Sequence, residues 1–426
     1  MGRNKIALPG PGDVLRQTLP NGITVLAREN FISPSVIIDG YFISGSEDDP
    51  VEREGVASFT MDVMERGTHQ RPFEQLYEEV ESVGAVFGFS AGVHITSFGA
   101  KGLAEQLPLL LEICNDVMRN PAFAPEQIEH ARAELLSTLR EQEFDTRARA
   151  ARAFHELTYP IGHPYQRQVT GMPGTVAQLK AADLRAFHKR NIAPRGMVIA
   201  IVGAVKAQLA LETVQNVFGD WEGDRPARSP LPDVPALTDR REQYVPLPEK
   251  TQTDLVLGWP GPSRRSPDFL ACQLANTVLG VFGMMGRLGE QVRSQNGLAY
   301  YVYSSLEGGA GPGPWQAIAG VHPSQVEKAV ELILTEIHRL RDETVSAREL
   351  EDSKSYLIGS LPLRLETNEG VAGTLTHIER YDLGLDYLQR YQERIRAITA
   401  LDVQAAARRW LNPEAFTLGI SGPPRS

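Results

Sequence analysis

Short aliphatic runs and amphipathic stretches follow one another along this chain without settling into a regular strand–helix alternation. Ile23–Ala27 and Val36–Ile43 have the dense apolar character of buried strands. Glu54–Arg66 instead spaces Val56, Phe59, Thr60, Val63 and Met64 three or four residues apart, which predicts a helix with one inward stripe. Phe73–Val83 predicts a second helix, and Ala85–Phe89 with Val93–Phe98 a strand pair. Long helices are expected near Leu103–Met118 and near Pro125–Glu143. Paired strands followed by runs of helices predict an α+β fold, an antiparallel-rich sheet with helices on one face.

The same pattern returns half a chain later. Asp183-Leu184 through Pro194 to Gly203 matches Asp402-Val403 through Pro413 to Gly422 without a gap, at an offset of 219 residues. In each copy an Asp opens a helix, a basic pair (Lys189-Arg190, Arg408-Arg409) closes it, and a Pro precedes an apolar strand ending in Gly. These are the signs of a capped helix with cations at its negative end, leading into a buried strand. The offset also pairs Val36-Ile37-Ile38 with Leu255-Val256-Leu257. Two homologous sandwich domains are therefore expected, at 12–222 and 251–426. Between them 223–250 carries Pro226, Pro230, Pro232, Pro235, Pro246 and Pro248, a composition suited to an extended linker.

Composition narrows the functional classes. The chain has 426 residues, 42% apolar and 23% charged, as in ordinary globular proteins. A net charge of −10 leaves no basic stripe for a nucleic acid. No apolar run reaches the length of a membrane helix or a signal-peptide core, so a cytoplasmic location is expected. Cys114 and Cys272 lie far apart in apolar helical contexts and are expected to be buried free thiols. Gly280–Gly286 has a glycine-rich look but lacks both the Gly-Lys-Ser/Thr of a phosphate loop and the dinucleotide spacing.

Two segments carry a resemblance. Gly55-Val-Ala-Ser-Phe-Thr-Met-Asp-Val-Met-Glu-Arg-Gly-Thr68 resembles the metal-binding helix of the pitrilysin and mitochondrial-processing-peptidase family of inverzincins. That family uses His-x-x-Glu-His, in which residues four apart share one helical face and one Zn²⁺, with the Glu as general base and a later Glu as third ligand. On that frame this chain offers Ser58, Met61 and Asp62, with Thr138 near the late Glu position. One carboxylate is far short of three protein ligands, and no pair among the nine histidines is spaced i, i+4. His69, His94, His130 and His163 read as surface or locally hydrogen-bonded residues. Gly88 and Phe89 stand where the family carries an Asn-Ala that helps to bind the substrate backbone.

The second segment, Gly280 to Tyr300, resembles a block in the family's C-terminal portion: a Gly-containing loop, Arg-Leu, a short helix, then an Arg and a Tyr separated by six residues. Here these are Arg293 and Tyr300, which the resemblance implies reach across a closed chamber to a zinc site. Leu288–Ser294 can complete a helix, Asn296-Gly297 is a strong stop, and Leu298–Ser304 reads as a strand. Strand alternation would put Tyr300 with Leu298 and Val302, and Tyr301 with Ala299 and Tyr303. A guanidinium and a neutral hydroxyl both suit a carbonyl gaining negative charge. The plainer alternative is that Arg293 pairs with Glu290 and Tyr300 packs on its helix.

The resemblance thus implies a chain with no metal or cofactor of its own, serving as the non-metal-binding subunit of a heterodimeric zinc peptidase acting on unfolded peptides. Zinc would sit in a homologous partner with an intact His-x-x-Glu-His motif. The alternatives are a non-catalytic scaffold, as in the core proteins of the cytochrome bc complex, and a peptide-binding homodimer.

Overall fold

The computed structural model describes residues 8–281 and 286–425. Eleven strands are present among them: β1 (Leu15–Thr18), β2 (Thr24–Glu29), β3 (Ser35–Phe42), β4 (Val86–Ala91), β5 (Thr96–Leu103), β6 (Val198–Gly203), β7 (Arg241–Pro246), β8 (Thr253–Pro260), β9 (Ala299–Leu306), β10 (Pro314–Val321) and β11 (Thr417–Gly422). They form two sheets, ordered β1-β2-β6-β3-β5-β4 and β7-β11-β8-β10-β9. With β2 read as β7, β6 as β11, β3 as β8, β5 as β10 and β4 as β9, the two orders are the same apart from β1, an extra edge strand of the first sheet. Each sheet has one parallel pair, β2 with β6 and β7 with β11, and is otherwise antiparallel. The repeat is therefore a repeat of topology. The helices Ala181–Asn191 and Ala400–Trp410, like β6 and β11, begin and end at the 219-residue offset.

The local rules hold with one adjustment. Asp183 and Asp402 do not cap their helices from outside. Each sits in the first turn and accepts a backbone N–H from three residues back, Lys180 at 2.9 Å and Thr399 at 2.8 Å. This is the reach-back half of a capping box.

The compact units do not follow the two contiguous halves. One unit runs to Thr138, then takes in Gln168–Ser229 and Leu361–Arg390; the other takes in Leu139–Arg167, Pro230–Ser360 and the chain from Tyr391 on. Each unit thus draws on both of the stretches 12–222 and 251–426. In the first unit, Val36, Ile38, Phe98, Ile199 and Ile201 build the main core with the helices Val56–Met64 and Leu107–Arg119. Asp39 alternates to the other face, where its carboxylate accepts from the Thr376 hydroxyl at 2.6 Å. That threonine belongs to the helix Asn368–Arg380, which comes from the second half of the sequence and packs on β3 and β6.

In the second unit the reciprocal helix, Thr146–Thr158 from the first half, packs on β7, β8 and β11. Its Ala150 and Phe154 meet Val256 and Ile318. Each sheet thus carries a helix on its second face as well, supplied by the other copy of the repeat. This explains why β6 and β11 are buried along their whole length. Gly419 of β11 allows the contact, because a Cβ there would lie 2.2 Å from the Ala150 carbonyl oxygen.

The Pro-rich segment also departs from a simple linker. Its residues 241–246 form the edge strand β7, and Pro246 closes that strand, as a residue without an N–H can at an edge. Cys114 and Cys272 are free and buried.

Candidate functional site

The helix Val56–Met64 is held by Asp49, whose carboxylate accepts the backbone N–H groups of Gly55 (2.8 Å) and Ala57 (3.0 Å). From this helix Asp62 faces a cleft of about 420 Å³, and Thr138 lines the same cleft from the helix Pro125–Glu143. The structure therefore brings together two of the four motif positions. Ser58 and Met61 are buried in the helix packing and do not line the cleft.

Sequence reasoning missed the residues that now dominate this cleft: Glu65, Arg66, Tyr77 and Glu134. The signal was available, since Glu65 follows Asp62 by three residues and Glu134 precedes Thr138 by four, both same-face helical spacings. Burial pushes the Asp62 carboxyl up to about 6, against the pull of Arg66. Burial likewise lifts Glu65 to about 7 despite the backbone N–H that it accepts from Phe89. Phe89 lies on β4, the edge strand of its sheet, so Glu65 already occupies a backbone donor on that edge.

The donors here do not fit a catalytic zinc. Glu65 is committed to Phe89 and Glu134 to Arg66, while Thr138 is an exposed hydroxyl that donates to the Glu134 carbonyl at 3.3 Å. Among the described residues no group of three or more His, Cys, Asp or Glu side chains is arranged to hold a metal ion. His94 and His163 are buried, with His94 Nδ1 2.6 Å from the Glu47 carboxylate and His163 Nδ1 accepting from the Tyr165 N–H at 3.0 Å.

Arg293 and Tyr300 have a different setting. Residues 282–285 of the glycine-containing loop lie outside the described residues. The helix expected over Leu288–Ser294 is a π-helix, Gly289–Gln295, a rare form that recurs at functional sites. Glu290 does not pair with Arg293; its carboxylate accepts from Gln295 Nε2 at 2.8 Å, five residues on. Gly297 ends the helix in the left-handed region (φ +63°), and its N–H bonds to the Arg293 carbonyl at 3.0 Å. Arg293 is half-buried, and among the described residues its side chain has neither an ion pair nor a hydrogen bond.

Tyr300 sits on a β-bulge. Tyr301 pairs with Gly320 and Ala299 with Val321, so Tyr300 is the extra residue between them. The expected alternation therefore fails. Val302 is fully buried while Tyr300 is 59% exposed, because the bulge turns it off the face it would otherwise share. Its neighbours are committed elsewhere. The Tyr301 hydroxyl donates to Asp254, and burial followed by that bond drives its pKa well above the usual range. The Tyr303 hydroxyl accepts from Arg147. Of the three tyrosines, only Tyr300 has no partner among the described residues.

No helix among the described residues is long and apolar enough to cross a membrane. Residues 25–169 match the family described as insulinase (peptidase family M16), and residues 178–357 match the peptidase M16 inactive domain. An uncharacterized zinc protease of Streptomyces coelicolor is 27% identical over 97% of this chain and 90% of its own. Subunit 1 of the bovine cytochrome b-c1 complex is 28% identical over 62% of this chain and 54% of its own. A solved structure titled as a peptidase M16 inactive domain from Pseudomonas fluorescens shares the fold at a TM-score of 0.89 with 24% identity, covering 97% of this chain and 98% of that one. With both halves matched in order and the duplicated sheets in place, this chain belongs to the M16 peptidase family.

Proposed function

We propose that this chain is the non-metal-binding subunit of a two-chain zinc peptidase, lending Arg293 and Tyr300 to a zinc site on a homologous partner. The observation that carries the reading is the pair itself. A half-buried guanidinium and an exposed hydroxyl, set on a π-helix and a bulge, have no partner among the described residues. Both are donors, and a peptide carbonyl gaining negative charge as water adds to it is the acceptor they suit. The cleft around Asp62 lacks the ligands and the general base, so the zinc and its activated water would come from a partner with an intact His-x-x-Glu-His helix. The substrate would be an unfolded peptide, and the working location the cytoplasm.

Alone, the chain is expected to bind no stoichiometric zinc and to cleave no peptide. With its partner, activity is expected to appear and to fall by about 10²–10³ for Arg293→Ala or Tyr300→Phe, the usual loss for one transition-state donor. Turnover unchanged in both variants would remove the assignment. The likeness to a cytochrome b-c1 subunit favours a second reading, a scaffold without catalysis. A stable complex with an intact metallopeptidase partner and no gain in turnover over that partner alone would support the scaffold.

A further inference from the structure

The duplication that built this chain left a second cleft in the second unit. At the 219-residue offset Ser58, Asp62 and Glu134 become Thr277, Val281 and Ser353. These three line a cavity of about 370 Å³ between the helices Phe269–Gly280 and Ala347–Arg364. Its volume lies within the range of small-ligand pockets, roughly 300–1,000 Å³. Its apolar lining comes from Val278, Val281 and the Tyr356 ring.

A buried donor belongs to the lining of this cavity. Arg287 is 8% exposed; its Nε and Nη2 bond to the Glu349 carboxylate at 2.7 and 3.3 Å, and its Nη1 has no hydrogen-bond partner. A buried N–H left without an acceptor is unfavourable, and a ligand oxygen would satisfy it. The charge of Arg287 is already balanced. Burial alone would raise Glu349, but the Arg287 fork and the N–H and hydroxyl of Ser346 outweigh it and hold the carboxyl down at about 2. Glu336, Asp352 and Glu290 also line the cavity, against one further cation, Arg339, which pairs with Glu336 at 2.9 Å. A carboxylate ligand would meet this surplus of negative charge, whereas a neutral carbonyl would meet only the open N–H.

We infer that the cavity between Phe269–Gly280 and Ala347–Arg364 is a binding site for an uncharged, largely apolar molecule carrying an amide or ester carbonyl, received by Arg287 Nη1. A capped apolar residue of a peptide and a free small amide share that chemistry. The inference is independent of the proposed peptidase role, because it is read by binding alone.

The test uses the full chain with N-acetyl-L-phenylalaninamide, N-acetyl-L-phenylalanine and benzamide as probes, followed by calorimetry and ligand-observed NMR. The peptide-like amide is expected to bind at least tenfold more tightly than its free acid, and benzamide reports whether a small amide suffices without a peptide frame. Val281→Trp, which fills the cavity, is expected to abolish binding. Arg287→Met with Glu349→Gln, which removes the donor without stranding a carboxylate, is expected to weaken it at least tenfold. If the double variant does not fold, Val281→Trp and Ser353→Phe decide the matter. Equal binding of amide and acid, binding that survives the filled cavity, or no binding of either amide at millimolar concentration would overturn the inference.

Discussion

Replacing Asp62 by Asn should stabilise this protein at pH 8 and leave it unchanged near pH 4. The Asp62 carboxyl rises from an ordinary 3.8 to about 6 in the folded chain, because the cleft wall strips it of water. A folded carboxyl that holds its proton more tightly than the unfolded one contributes most at low pH. That contribution is lost as pH climbs from the unfolded value through the folded one. The difference corresponds to about 3 kcal/mol once both states are ionised. Asparagine keeps the shape and removes the charge but still buries a polar group, so about 1–3 kcal/mol of relief is expected at pH 8. Thermal melts of wild type and variant between pH 4 and 8.5 would read this as a gap of several degrees that opens across pH 4–6. A variant that melts with the wild type at pH 8, or a gap that widens towards low pH, would refute the reasoning. Glu65→Gln should open a similar gap about one pH unit higher, since Glu65 rises to about 7. The double variant should gain less than the sum, because each charge is part of the other's surroundings.

Other outcomes follow from the exchanged helices and the sheet. Gly419→Ala would drive a Cβ into the backbone of the helix Thr146–Thr158, 2.2 Å from the Ala150 oxygen and 2.6 Å from the Phe154 nitrogen. Chemical denaturation should show a loss of more than about 2 kcal/mol. Asp254 is buried and accepts from Thr146, Tyr301 and Gln252, so Asp254→Ala should cost about 2–4 kcal/mol by leaving those donors unmatched. Circular dichroism should follow that loss, together with a fall of the Tyr301 pKa as its carboxylate neighbour is removed. Cutting the chain within 230–240 and expressing 8–229 alone should give an aggregating fragment, because the Asn368–Arg380 helix that covers one face of its sheet is missing. Coexpression of the remaining residues should restore solubility on size-exclusion chromatography, and a soluble, cooperatively melting fragment would contradict this.

How much of this was legible beforehand differs from feature to feature. Period and punctuation located the elements: a helix does lie at Pro125–Glu143, and the strands expected from Ile23, Val36, Ala85 and Val93 are present, shifted by up to five positions. The weakness of Ser58, Met61 and Thr138 as zinc ligands was also legible, since it follows from residue identity. The repeat was visible because capping, basic helix ends and buried strands leave local marks. What local marks could not carry was the crossing of the helices Thr146–Thr158 and Asn368–Arg380 between the copies. An amphipathic helix shows that it has an apolar face, but not which of two similar sheets will cover it.

The sequence by itself determined the element types, the presence of a duplication and the residue identities at the motif positions, because each depends on residue identity at short range. Only the tertiary structure decided that Tyr300 rather than Tyr301 or Tyr303 is without a partner among the described residues. A one-residue bulge reverses which side chain leaves the sheet, and the partners that occupy the other two, Asp254 and Arg147, come from distant parts of the chain. The tertiary structure likewise decided that Glu65 and Glu134 share a cleft with Asp62, and that Arg287 lines a cavity while its Nη1 has no hydrogen-bond partner among the described residues. Burial and pairing are properties of what surrounds a residue, and here those surroundings are assembled from segments tens to hundreds of residues apart.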